Sequence, residues 1–201
     1  MTFPPGQWQQ IIARDPQHST RYIERFRMLA AQGHDLHGEA RLVDALVGRG
    51  AAVLDAGCGP GRHAGYLARA GHRVVGVDVD PTLIAAAQAE EPGPTYLVGD
   101  LAGFELPAEA PREFDAILCA GNVMTFLHPE TRVPALAGMA SRLAPEGRAV
   151  IGFGAGRGYD FNDFLTDAAA AGLALQARFA TWDLRPFSSS ADFQVAFFGR
   201  A

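Results

Sequence analysis

The spacing of apolar residues divides this chain into an N-terminal segment and a longer remainder. Over residues 7–48 the apolar positions recur as they do on one face of a helix, with Tyr22 and Phe26 one helical turn apart. Pro16 and the glycine-flanked stretch 33–38 interrupt this pattern. The segment therefore predicts two or three helices.

From residue 51 onward, short apolar runs alternate with helical patterns. Strands are predicted near residues 51–56, 73–78, 95–99, 114–120 and 147–153, and helices near 62–70, 81–91 and 130–143. Strands that alternate with helices in this way form a parallel, doubly wound α/β sheet.

The C-terminal tail departs from this alternation. Two apolar runs, 173–184 and 192–199, follow each other with only the loop RPFSSSA between them. A loop of this kind joins antiparallel strands. The tail therefore predicts an antiparallel pair at one side of the sheet.

The run VLDAGCGPG at residues 53–61 is the most informative motif of the chain. Gly57, Gly59 and Gly61 allow positive φ angles and carry no Cβ, so a ligand can lie directly against the backbone. The unpaired N–H groups of the following helix add partial positive charge at this point. The motif predicts a ligand-binding turn, although Pro60 is also compatible with an ordinary strand–helix turn.

A second run, RVVGVD, ends at Asp78, about 20 residues after the glycine turn. A carboxylate at this position of an α/β fold can bind both ribose hydroxyls of a nucleoside. Asp80, which precedes Pro81, is predicted to cap the next helix. The two motifs together predict a nucleoside-containing cofactor.

The details of the glycine motif indicate which cofactor. A dinucleotide fingerprint has the spacing GxGxxG, whereas this chain has GxGxG with Asp55 two positions before the first glycine. A carboxylate there would repel a pyrophosphate but suits an ammonium or sulfonium group. In this respect residues 50–155 resemble the class I S-adenosylmethionine (SAM)-dependent methyltransferases, whose first motif is an acid, a small residue and then GxGxG.

The resemblance implies a single Rossmann-like domain with a seven-stranded sheet, the last strand antiparallel. Residues 1–48 would form a helical cap, and residues 49–201 would form the SAM-binding α/β core. Helices of this kind fold over the cofactor as a lid in small-molecule members of the family.

The resemblance also implies the cofactor contacts. The glycine turn would meet the methionine part, Asp78 the ribose, Val79 the adenine face, Asp100 the adenine amino group, and the Ala120 carbonyl the methionine ammonium. The alternative is that Asp100 binds no cofactor and is an ordinary aspartate in a solvated turn. The full set of expected cofactor-binding residues is Asp55, Ala56, Gly57, Cys58, Gly59, Gly61, Asp78, Val79, Asp100, Leu101, Ala120, Tyr22 and Arg25.

The catalytic residues are less well defined than the cofactor site. His128, His18 and Asn122 are weak candidates, because a lone histidine is usually structural or solvated. His63 could simply lie on the surface of the first helix of the core. Methyl transfer needs a general base only when the acceptor keeps its proton near neutral pH, so a missing base does not argue against an enzyme.

Charge and motif content predict a small-molecule acceptor. After its fourth strand the chain reads AGNVMTF, where methyltransferases of base nitrogens and protein glutamine carry [DN]PP[YF]. The net charge is −5, and no basic stretch suits phosphates. We therefore expect no nucleic-acid substrate.

Composition limits the remaining classes. With 48% hydrophobic and 19% charged residues, the 201-residue chain has the composition of an ordinary globular domain. It contains no apolar run long enough to span a membrane, and its first residues lack the pattern of a secretory signal. These observations predict a cytoplasmic location. Cys58 and Cys119 form neither a disulfide framework nor a metal site. The alternatives are a non-catalytic SAM-binding regulator and, with less support, an NAD-dependent oxidoreductase.

Overall fold

Strands and helices alternate along most of the chain in a computed structural model, which describes residues 3–201. The strands are β1 (Ala52–Ala56), β2 (Arg73–Asp78), β3 (Thr95–Val98), β4 (Phe114–Cys119), β5 (Leu143–Gly154), β6 (Leu173–Phe179) and β7 (Phe193–Arg200). The helices are α1 (Gln7–Arg14), α2 (His18–Ala31), α3 (Gly38–Leu46), α4 (Arg62–Arg69), α5 (Pro81–Glu90), α6 (Val123–Phe126), α7 (Pro129–Arg142) and α8 (Phe161–Ala170).

The strands form one sheet in the order β3-β2-β1-β4-β5-β7-β6. The pairs from β3 to β5 are parallel, whereas β7 is antiparallel to both β5 and β6. This confirms the predicted doubly wound sheet with an antiparallel last strand. The strand order reverses between β1 and β4, and ligands bind at such a point in open α/β sheets.

Apolar layers cover both faces of the sheet, which is why β1 and β4 read as nearly continuous apolar runs. One face packs against α4 and α5, with Leu67, Ile84 and Ala87 in the core. The other face packs against α7 and α8, through residues such as Leu136 and Phe164. The central strands are thereby fixed, together with the loops at their carboxyl ends.

The three N-terminal helices occupy two different places. Ala40 and Val43 of α3 are fully buried in the same core layer as α4. Helices α1 and α2 instead lie near the carboxyl edge of the sheet, where Trp8 and Tyr22 line a cavity. The segment predicted as one cap thus contains a core helix as well as two helices that line the cavity.

Element boundaries differ from the prediction at a few points. β5 begins at Leu143 rather than near residue 147, because Leu143 pairs with Phe114 before an irregularity in the register. β6 ends at Phe179, and a turn follows in which the N–H of Leu184 donates to the carbonyl of Thr181 at 3.1 Å. The helices α6 and α8 were not predicted.

Candidate active site

A cavity of about 410 Å³ lies at the carboxyl edge of the sheet. Five successive strand ends contribute to its wall: Gly57 after β1, Asp78 at the end of β2, Asp100 after β3, Ala120 after β4 and Arg157 after β5. This is the place where the reversal of strand order leaves room for a ligand.

The glycine turn is held against β2 by its own backbone. The N–H groups of Gly57 and Cys58 both donate to the carbonyl of Val77, at 2.8 and 3.0 Å. Gly57 has a φ of 82°, and a Cβ there would lie 2.3 Å from Cγ2 of Val123. A side chain at Gly57 would therefore strain the backbone and push away Val123, the first residue of α6.

Asp78 forms the junction between the glycine turn and β2. Its Oδ2 accepts a hydrogen bond from the Gly59 N–H at 2.8 Å, and its Oδ1 accepts one from the Asp80 N–H at 3.0 Å. Burial raises the pKa of Asp78 to about 6, although these backbone donors oppose the shift. The carboxyl group is thus fixed at the cavity wall by two backbone donors.

Asp55 lies beneath the turn rather than on the cavity wall. Its side chain is 1% exposed, and within residues 3–201 its Oδ2 has no hydrogen-bond partner. Burial raises the pKa of Asp55 to about 7, opposed by the nearby charge of Arg62. Any effect of Asp55 on a bound ligand must therefore pass through the turn above it.

The end of β3 supplies the next part of the wall. Asp100 and Leu101 line the cavity beside Val79. Oδ1 of Asp100 also accepts a hydrogen bond from the Ala102 N–H at 2.9 Å, which closes a turn. Asp100 therefore orders its own turn and faces the cavity as well.

An aromatic group covers the cavity from the side of α1 and α2. The Trp8 ring meets Tyr22 edge to face at 5.3 Å and Phe126 at 5.6 Å, and Tyr22 meets Phe26 at 4.9 Å. The four rings line the cavity, and burial raises the pKa of Tyr22. They form an apolar section of the cavity wall, which we call the roof.

Asp80 connects this roof to the sheet. Its Oδ1 accepts the Thr82 N–H at 2.8 Å, which confirms the predicted helix cap. Its Oδ2 accepts two further hydrogen bonds, from Trp8 Nε1 at 2.8 Å and from the Ser19 hydroxyl at 2.5 Å. Asp80 is therefore more than a cap, because it also fastens α1 and α2.

Comparison with known proteins places this fold and site in a family. A family model described as a methyltransferase domain matches residues 53–147. A TehB-like SAM-dependent methyltransferase from Corynebacterium glutamicum is 50% identical, with a TM-score of 0.87 over 93% of this chain and 100% of that one. The chain belongs to the SAM-dependent methyltransferases. The family resemblance of the glycine motif is confirmed.

Two more distant proteins that this chain resembles are also named as methyltransferases. An N,N-dimethyltransferase of a dTDP-linked amino sugar from Streptomyces fradiae is 30% identical over 60% of this chain and 48% of its own length. CalS10, an amino pentose methyltransferase from Micromonospora echinaspora, has a TM-score of 0.69 at 21% identity, over 90% of this chain and 96% of that one. The chain spans about half or less of the length of the curated relatives it matches.

Most of the residues expected to bind the cofactor line the cavity of this methyltransferase. They are Gly57, Cys58, Gly59, Asp78, Val79, Asp100, Leu101, Ala120, Tyr22 and Arg25. Asp55, Ala56 and Gly61 are not on its wall. Asp55 and Ala56 are buried within β1, and a Cβ on Gly61 would point toward the Tyr96 hydroxyl, 2.6 Å away.

The candidate catalytic residues separate in the structure. Asn122 lines the cavity, whereas His128 caps α7, where its Nδ1 accepts the Glu130 N–H at 3.3 Å. His18 packs edge to face on Trp8 at 5.0 Å, behind the cavity wall. His63 is 4% exposed and lines the cavity, so the alternative that it only lies on the helix surface is excluded.

Sequence reasoning missed several lining residues, among them Trp8, Gln9, Phe126 and Arg157. Trp8 and Gln9 belong to α1, Phe126 to α6 and Arg157 to the loop after β5, and no motif joins them. Arg157 lies in the glycine-rich stretch GFGAGRGYD, residues 152–160, where three glycines precede it. That loop was the available signal for an acceptor-binding residue.

Two further features bear on the class of site. Among residues 3–201, no group of three or more His, Cys, Asp or Glu side chains could hold a metal ion. Cys58 and Cys119 are both buried, in the core layers on opposite faces of the sheet, and burial raises the pKa of both thiols.

No helix within these described residues is long and apolar enough to cross a membrane.

Proposed function

We propose that this protein transfers a methyl group from SAM to a nucleophilic atom of a small-molecule acceptor. The observation that carries the proposal is the cavity wall, on which the glycine turn, Asp78 and Asp100 meet at adjacent strand ends. SAM supplies a methyl group that is bonded to a positively charged sulfur. The acceptor nucleophile would bond to the methyl carbon while the S–C bond breaks, and the thioether S-adenosylhomocysteine (SAH) would form.

The residues of this chain fit such a molecule. Gly59 and Gly121 line the cavity with positive φ angles, and a Cβ on Gly121 would meet nothing within 4 Å, so the backbone there is open to a ligand. Asp78 would accept hydrogen bonds from the ribose hydroxyls, and Asp100 would bind the adenine amino group. Arg25, which makes no ion pair within the described chain, would bind the methionine carboxylate.

Rate enhancement would come mainly from position and from exclusion of water. The aromatic roof formed by Trp8, Tyr22, Phe26 and Phe126 would hold the acceptor close to the methyl group in a dry cavity. Asn122, which lines the cavity, and the more remote His128 and His18 stay as weak candidates for a proton acceptor. The proton of the acceptor could equally leave to solvent.

The alternatives have less support. The GxGxG spacing and the family membership do not favour an NAD-dependent oxidoreductase, and a regulator would not need an open acceptor end in the cavity. Some curated relatives are named as 18S rRNA (guanine-N(7))-methyltransferases. The net charge of −5 supports a small-molecule acceptor rather than a nucleic acid.

Calorimetric titration and a product assay test the proposal. SAH should bind and NAD should not, and saturation at about 100 times the dissociation constant should stabilise the protein by about 2.7 kcal/mol. A homocysteine-release assay over a panel of metabolites should then find an acceptor. Stabilisation by NAD without binding of SAH would refute the proposal. The cytoplasmic location stays a prediction, to be checked by cell fractionation.

A further inference from the structure

The charged side chains on the cavity wall are unevenly distributed. The acidic residues that line it, Asp78 and Asp100, belong to the ends of β2 and β3, where the proposed function places the nucleoside. At the ends of β4 and β5, where the acceptor would lie, the charged lining residue is Arg157. The acceptor end therefore carries positive charge without a lining carboxylate.

Asn122 presents hydrogen-bond donors at this end. Its Oδ1 accepts the Gly154 N–H at 2.8 Å. Because a backbone N–H can only donate, this bond fixes which way the side-chain amide faces. Within residues 3–201 no group accepts a hydrogen bond from the Asn122 N–H₂, and Asn122 lines the cavity.

Gln9, which also lines the cavity, is arranged in the same way. Its Oε1 accepts the N–H of Gly6 at 2.7 Å, so its amide orientation is also fixed by a backbone donor. The Gln9 N–H₂ group donates to no other residue of the described chain. The side-chain oxygens of Asn122 and Gln9 thus each accept a hydrogen bond from a backbone N–H group, and their N–H₂ groups are free to donate to a ligand.

Arg157 completes this set of donors. It is exposed in the loop between β5 and α8, and among residues 3–201 it makes neither an ion pair nor a hydrogen bond. Its Nε lies 3.2 Å from where a Cβ on Gly154 would stand, so that glycine lets the side chain lie against the strand end. Asn122 Oδ1 is 3.6 Å from the same point. Arg157 Nε and Asn122 Oδ1 thus both lie beside Gly154.

The wall beside these donors is aromatic. Phe126 meets the Trp8 ring at 5.6 Å with perpendicular planes, and the Trp8 N–H is already donated to Asp80. Trp8 can therefore offer a ligand only its apolar ring surface. The acceptor end combines an apolar wall with the free side-chain donors of Arg157, Asn122 and Gln9.

We infer that the methyl acceptor is an organic carboxylic acid with an aromatic or unsaturated body. Its carboxylate would be bound by Arg157 with support from Asn122 and Gln9, and its body would pack on Trp8 and Phe126. A guanidinium group and amide donors match a carboxylate, whereas a protonated amine would find no carboxylate there. This inference rests on the proposed function and names its substrate class.

Titration calorimetry on the full-length protein saturated with SAH tests the inference. The ligands are a panel of benzoic, cinnamic and hydroxybenzoic acids, each with its amide and its benzylic or allylic amine. We expect at least one acid to bind about ten times more tightly than its amide, and the amines to bind weakest. The inference is wrong if no acid in the panel binds more tightly than its amide.

Variants assign the effect to Arg157. Arg157→Gln should weaken binding of the preferred acid by roughly 10- to 100-fold and change amide binding by less than about twofold. Asn122→Asp should also weaken acid binding, because it adds a like charge while it keeps the bond to Gly154. Arg148→Gln, an exposed arginine on β5 away from the cavity, is the matched control and should change nothing. An equal loss for acid and amide in Arg157→Gln would overturn the assignment.

Two further measurements separate the possible failures. Inorganic phosphate and sulfate should compete with the acid only weakly, since they cannot use the aromatic wall. If they compete as well as the acid, the site binds small anions and the inferred organic acceptor is wrong. Failure of the wild-type protein to bind SAH would instead refute the proposed function, and SAH affinity should stay unchanged in Arg157→Gln.

Discussion

The indole N–H of Trp8 donates a hydrogen bond to Oδ2 of Asp80 at 2.8 Å across a sequence separation of 72 residues. Asp80 in turn donates its backbone N–H to Asp78, whose other carboxylate oxygen is bound to the glycine turn. A continuous set of hydrogen bonds therefore joins the proposed ribose site to the helices that cover it. Binding of a cofactor and closure of the roof should depend on each other.

Replacement of Trp8 by Phe should show this dependence. The variant keeps an aromatic ring but removes the N–H, so Asp80 Oδ2 loses one of its two side-chain donors. We expect the free energy of unfolding to fall by about 1–2 kcal/mol and SAH affinity to fall several-fold. Thermal unfolding and calorimetry measure the two effects.

Trp182→Phe is the control for this change, because Trp182 packs against Gly152 rather than on the cavity wall. It should leave SAH affinity unchanged. An unaltered SAH affinity in Trp8→Phe would show that the roof does not communicate with the cofactor site.

Asp78 and Asp80 should differ in how they affect affinity and stability. Asp78→Ala removes the proposed ribose partner and should weaken SAH binding by about 1.5–3 kcal/mol. Asp80→Ala removes a helix cap, about 1 kcal/mol, together with the bonds to Trp8 and Ser19, so its larger effect should be on stability. Equal losses of SAH affinity in the two variants would show that the ribose site is misplaced.

Helices α1 and α2 should become more protected when a ligand binds. Hydrogen exchange is expected to slow over residues 15–40 in the presence of SAH, because the roof closes over an occupied cavity. Deletion of residues 1–36 removes both helices but keeps α3, whose Ala40 and Val43 belong to the core. The shortened protein should fold, bind SAH weakly and lack transferase activity. Turnover by that protein would show that the helices are not a lid.

Asp55 should make stability depend on pH. Its folded-state pKa, about 7, lies above the ordinary value of 3.8, so the folded protein holds this proton more tightly than the unfolded chain. This contribution to stability is complete below about pH 4 and is lost as the pH rises through 7. The raised pKa of Asp78, about 6, acts in the same direction.

Asp55→Asn should therefore flatten the fall in unfolding free energy across the range between about pH 4 and pH 7. At pH 8 the variant should be more stable than the wild type, on the order of a few kcal/mol at most. Urea denaturation at a series of pH values measures this, with Glu109→Gln as an exposed control. A variant that is less stable than the wild type at pH 8 would contradict the raised pKa of the buried Asp55 carboxyl.

The sequence alone determined the order and type of most elements and predicted the centre of the proposed cofactor site. Apolar periodicity gave the parallel core and the final antiparallel pair, because alternation and helical spacing are local properties of the chain. The glycine turn and Asp78 could be assigned for the same reason. Each follows directly at the end of a strand, and the carboxyl ends of neighbouring parallel strands share one edge of the sheet.

Only the tertiary structure decided how the rest of the cavity is assembled. Trp8 meets Asp80, and Asn122 meets the backbone of Gly154, through contacts between distant parts of the chain that no spacing rule encodes. Asp55 was expected near the ligand, yet the packing of β1 beneath the turn removes it from the cavity wall. Local pattern fixes which elements form, whereas side-chain partners depend on how those elements pack in three dimensions.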